Sequence, residues 1–163
     1  MRKYGSSSGR VTLIQDYPTG AEEEGRGCFK LMSLLSNDGL IVNFVISPTT
    51  YFLNHVIVSV GDYVTGFYDA NVPVILIYPP QYQALVVAKY NPYQNVKVDY
   101  FNRELVSSDG QLHLNISRDT PILLQNNQPF TLYPANRNLL VEYSFSTFSI
   151  PAQTTPNRII VLC

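Results

Sequence analysis

The chain has 163 residues, enough for one domain or two small ones, and 11 Lys and Arg balance 12 Asp and Glu to a net charge of −1. Charged residues make up 14%, against roughly 25% in soluble domains, while 45% are hydrophobic. This excludes a disordered polyampholyte, and so few cations argue against a nucleic-acid partner, whose phosphates are bound by displacing counterions.

From the N-terminus, residues 1–9 (MRKYGSSSG) read as a polar tail with no apolar stretch of the kind a signal peptide carries. A strand is expected at 11–14. A solvated hairpin tip containing Glu22, Glu23 and Glu24 then leads to a second strand at 28–34. The acidic run is contiguous, whereas oxygen-ligand loops alternate ligands with spacers, so no metal site is expected there. Further β-branched and aromatic runs lie at 40–46, 56–60, 72–78, 84–90, 96–101, 112–116, 139–143 and 159–162, separated by Gly, Pro, Asn and Asp. No window holds a helical apolar period, and no run approaches the 18 apolar residues or so of a membrane-spanning helix. The expectation is an all-β protein without membrane insertion, in the cytoplasm, with Cys28 and Cys163 as free thiols.

Two stretches repeat. Ser36-Asn37-Asp38-Gly39 and Ser107-Ser108-Asp109-Gly110 open segments that align at an offset of 71. The segment 61–68 aligns with 136–143, and 85–88 with 160–163, at an offset of 75. Three collinear blocks imply an internal duplication, with each copy a folding unit. The expected organisation is a tail at 1–9, a first unit at 10–92 and a second at 93–163.

Each half reads as a long hairpin closed by an Asp-Gly turn, a Gly- or Asn-led strand, a Pro-bearing loop and a last apolar strand. Asp38-Gly39, Gly61-Asp62-Tyr63-Val64 and Leu85-Val86-Val87 carry this order in the first half. Asp109-Gly110, Leu139-Leu140-Val141 and Ile160-Val161 carry it in the second. The order resembles the OB fold, which implies two tandem small OB-like β-barrels covering most of the chain. A β-sandwich of the same strands is the alternative.

In the second half, Leu112, Leu114 and Ile116 alternate with Gln111, His113 and Asn115. The first set is expected in the core. The second forms an exposed polar face, near where OB folds bind ligands. At the offset of 71, Leu40, Val42, Phe44 and Ile46 fall on the matching outer face, although all are apolar. They are expected to pack against the other unit or another subunit. A register shift would instead swap the faces and put Asn43 outside.

The two histidines, His55 and His113, have no nucleophile or carboxylate at an informative spacing. No catalytic residue, cofactor or metal is expected. Tyr78-Pro79-Pro80-Gln81-Tyr82 contains a PPxY sequence, read as an ordered loop between two strands. The second half keeps Pro151 and Pro156 in a similar loop. Long loops of this kind serve contacts, so Tyr78, Pro79, Pro80 and Tyr82 join the interface candidates. Four lysines leave little charge to guard strand edges. The sequence therefore points to a non-enzymatic, self-associating structural or interaction protein, expected to form a homo-oligomer. The alternative is a module that binds an oligosaccharide, peptide or single-stranded nucleic acid through Gln111, His113 and Asn115.

Overall fold

A computed structural model describes residues 1–18 and 23–163. Thirteen strands are present among them, with two 3-10 turns and no helix long and apolar enough to cross a membrane. The chain divides into two compact units, one from Tyr4 to Tyr90 and one of Asn91–Cys163 together with Met1–Lys3.

The first unit contains β1 (Tyr4–Asp16), β2 (Lys30–Leu35), β3 (Ile41–Ile46), β4 (Tyr51–Phe52), β5 (Tyr63–Asp69), β6 (Gln81–Gln83) and β7 (Val86–Lys89). They form one sheet in the order β4-β7-β5-β1-β2-β3-β6. The second unit contains β8 (Asn95–Phe101), β9 (Leu112–Leu114), β10 (Ile122–Leu124), β11 (Arg137–Tyr143), β12 (Ala152–Thr154) and β13 (Arg158–Val161). Its ladders run β10-β13-β11-β8 and β12-β9. Bridges from Phe101 to Ser107 and from Val106 to His113 link β8 to β9. The second unit thus follows the strand order of the first, with residues 106–107 standing where the first has β2.

All-β structure is as expected, but none of these sheets closes into a barrel. Three other expectations are corrected. The tail is a strand from Tyr4 onward, because Tyr4–Arg10 pairs antiparallel with β5. Residues 56–60 form no strand. Residues 72–78 form none either: Pro73 within the run and Pro79 and Pro80 after it lack the N–H that a ladder needs.

The equivalences also shift. The two Asp-Gly turns match at an offset of 71. In each, the glycine N–H donates to the serine carbonyl three residues back, and Gly39 and Gly110 have φ of +83° and +71°. Beyond the turn, Val42, Phe44 and Ile46 match Leu112, Leu114 and Ile116 at an offset of 70, since the first unit has one more residue between turn and core strand. A one-residue slip moves every side chain to the other face. Phe44 is therefore a core residue, 0% exposed, with Val42 and Ile46 packed beside it, and Asn43 faces the other way beside Ser33. The last strands match at an offset of 72, not 75: Val64 pairs with Lys89 as Leu139 pairs with Val161.

Phe44 has its place because Gly66 on β5 leaves room. A Cβ at Gly66 would lie 2.6 Å from the Phe44 ring. Gly66→Ala is expected to destabilise the protein by about 1–3 kcal/mol through overpacking. Phe44→Ala is expected to cost about 3–5 kcal/mol through the cavity it leaves. In the Gly66→Ala background Phe44→Leu costs less than it does alone, because the smaller side chain relieves the clash. Denaturant unfolding of the four proteins, with additivity as the contrary outcome, checks this coupling.

Asp109 ties the second turn. It accepts from Ser107 Oγ at 2.6 Å and from the Gln111 N–H at 3.0 Å, and it pairs with Lys97. Burial raises its pKa, but Lys97, Ser107 and Gln111 outweigh burial and hold it below the usual carboxylate value. A carboxylate lowered in the folded state stabilises above its unfolded pKa of about 3.9, and that contribution vanishes as pH falls through the folded value. The stability gap between the native protein and Asp109→Asn is therefore expected to narrow from about pH 4 downward. Denaturant titrations between about pH 6 and about pH 2 test this, and a constant gap would refute it.

Candidate functional site

The interface candidates separate into three environments. Leu40 is exposed at the start of the strand, Phe44 is sealed inside its own unit, and Val42 and Ile46 are half-buried against the same core. Tyr78 is 65% exposed, yet its hydroxyl accepts from the Ile41 N–H at 3.1 Å. Pro80 offers its carbonyl to the Asn43 N–H at 2.9 Å. The PPxY segment is thus docked along β3, where it leads into the parallel strand β6.

Tyr82 follows on β6 and stacks on Tyr68 of β5, with ring centroids 3.8 Å apart and planes inclined by 7°. Phe44 lies about equally far from both rings, at 6.1 and 6.0 Å. Burial, then the hydrogen bond with Tyr82, pushes the Tyr68 hydroxyl up to about 12, so it stays neutral and acts as structure. Gly5 on β1 admits this pair, since a Cβ there would lie 2.5 Å from the Tyr68 ring.

The polar candidates of the second unit are partnered. His113 Nδ1 donates to Gln153 Oε1 at 2.6 Å, and Asn115 Nδ2 donates to the same oxygen at 3.1 Å. Gln111 is exposed and donates to the Asp109 carbonyl at 3.4 Å. Gln153, on β12 beside β9, closes this face, and only the parallel pairing of those two strands brings it there. His55, at φ +52°, sits edge-on to Tyr51 at 5.6 Å. Among the described residues no three His, Cys, Asp or Glu side chains group as a metal site. Glu23 and Glu24 belong to a 3-10 turn, and Glu22 lies outside the described residues.

Sequence reasoning reached one feature in part and missed another. The first is the loop of residues 70–80, which exposes Val72, Val74, Ile75, Leu76, Ile77 and Tyr78 in succession, with Leu76 98% exposed. The matching loop of the second unit exposes Phe145, Phe148 and Ile150. The apolar run at 72–78 was visible, but it read as a strand. The second feature is a cavity of about 250 Å³ in the first unit, lined by Ile14, Lys30, Met32, Ile46, Phe52, Val56 and Val58. Its only charged wall is Lys30, which pairs with Asp16. No signal in the sequence separates these residues from a filled core. The arrangement offers apolar contact rather than acid–base or metal chemistry. No family model matches the chain, and no curated protein matches it either.

Proposed function

We propose that the chain is a non-enzymatic self-associating protein, structural or scaffolding in role, built from two copies of one OB-like unit. The observation that carries the reading is the row of exposed apolar side chains at 72–78. A contiguous apolar surface of this kind on a soluble chain marks a contact site. Burying each such Leu, Ile or Val contributes about 1.5–3 kcal/mol.

Several features support the two-copy part. The strand orders correspond, and in both Asp-Gly turns the glycine N–H donates to the serine carbonyl and the serine hydroxyl to the aspartate. After the core strand, the Ser47 N–H donates to Thr50 Oγ1 at 3.0 Å, and the Ser117 N–H to Thr120 Oγ1 at 3.1 Å. The ligand-face alternative has weaker support, because Gln153 already occupies His113 and Asn115.

Size-exclusion chromatography with light scattering, run across about three decades of concentration, tests the association. The mass is expected to rise above that of one chain as concentration increases. A single-chain mass at the highest concentration overturns the reading.

A further inference from the structure

The cavity and the exposed loop belong to the same unit, yet the loop does not fill the cavity. The second unit shows what a filled counterpart looks like. Ile46 and Phe52, two of the cavity walls, correspond to Ile116 and Ile122. From Ile122 the chain turns back on itself. The Leu124 N–H donates to the Gln128 carbonyl, and the Phe130 N–H donates to the Ile122 carbonyl at 2.9 Å. Phe130 thereby packs on the second core, with the Arg137 guanidinium 4.6 Å from its ring centroid. The corresponding connection in the first unit, from Phe52 to β5, is shorter and carries no aromatic. It supplies only Val56 and Val58 to the cavity wall and leaves Ile57 and Val60 exposed.

Resting on the self-association proposed above, we infer that the occupant of this cavity is the 75–77 segment of a second copy of the chain, entering with Leu76. Two observations select this occupant. The segment is the most exposed apolar stretch of the same unit, with Ile75 at 79% and Leu76 at 98%. Residues 70–83 contain no Asp, Glu, Lys or Arg, so the entering segment brings no ion to desolvate, and Lys30 at the cavity wall is paired with Asp16. Projection and cavity are different surfaces, so the contact is complementary rather than self-matching, and one chain can act through either.

That complementarity sets the experiment. Leu76→Asp removes the projection and keeps the cavity. Val58→Trp fills the cavity and keeps the projection. Each variant alone is expected to raise the apparent Kd of association by about 100-fold or more. An equimolar mixture, with one variant isotope-labelled, is expected to regain a pair containing one chain of each, resolved by native mass spectrometry. Leu76 is solvent-exposed, so that variant keeps the fold. Val58→Phe replaces Val58→Trp if the far-UV spectrum of the latter departs from the parent. Variants that associate like the parent, or a mixture that stays monomeric, overturn this contact while leaving self-association standing. A parent chain that is itself monomeric overturns both.

Discussion

The chain must cross from one edge of a curled sheet to the other without abandoning a buried backbone donor. Residues 81–89 do this in the first unit. β6 lies along β3, β7 lies along β5, and between them the Ala84 N–H donates to the Val45 carbonyl while the Leu85 N–H donates to the Phe67 carbonyl. Ala84 is buried, so an unpaired N–H there would cost about 1–3 kcal/mol. With those two bonds made, β3 and β5 are held facing each other although β1 and β2 separate them in the sheet. The aromatic core follows from this. Phe44 on β3 meets Tyr68 on β5 and Tyr82 on β6, and glycines stand on β1 and β5 where the rings approach backbone. The second unit repeats the crossing through residues 152–161: the Asn115 N–H bonds the Thr154 carbonyl and the Asn157 N–H bonds the Glu142 carbonyl.

Local rules made part of this legible in the sequence. An Asp-Gly pair after serine specifies a turn by itself, because glycine accepts positive φ and the carboxylate binds the serine hydroxyl, and both such turns are present. All-β character was equally plain from composition. What lay beyond reach depended on partners distant in the chain. Tyr4–Gly9 is glycine- and serine-rich and has poor strand propensity, yet it is a strand because β5 lies alongside, with Ser8 Oγ and Thr65 Oγ1 2.6 Å apart. Residues 72–78 have high strand propensity and form none, because Pro73 interrupts the run and Pro79 and Pro80 follow it without an N–H to give to a ladder. Face assignment failed on a single residue: one extra position after Gly39 reverses which side of β3 points inward. Identity at the turn could not reveal that, since the turn aligns well on either side of it.

The two units also differ in how they treat corresponding buried positions. Gly9 of β1 corresponds to Asp99 of β8, for they pair with Val64 and Leu139 respectively. A Cβ at Gly9 would lie 2.6 Å from the Leu35 carbonyl oxygen, so that position in the first unit tolerates no side chain. Asp99 is buried and satisfied: Ser108 Oγ donates to it at 2.6 Å and the Tyr100 N–H at 2.8 Å. Phe67 corresponds likewise to Glu142, which is buried and held by Arg158 through two hydrogen bonds of 2.8 and 2.6 Å. Where the first unit uses close backbone approach and aromatics, the second uses bonded charges.

This difference bears on where the proposed association would arise. A buried carboxylate with its donors in place fixes one arrangement, since any rearrangement strands a charge in low dielectric. The second unit meets these demands with its own residues: Arg158 for Glu142, Ser108 for Asp99, Gln153 for His113, and Phe130 packed on its core. Around the cavity of the first unit the contacts are mainly apolar and non-directional, and they tolerate the open space because its charged wall, Lys30, is paired with Asp16. An apolar cavity and an exposed apolar loop are each lowered in free energy when covered, and water supplies no substitute. Both units keep such a loop, 72–78 in the first and Phe145, Phe148 and Ile150 in the second, so under the proposed association the first unit is set apart by its open cavity, at the place where the second packs Phe130 on its core.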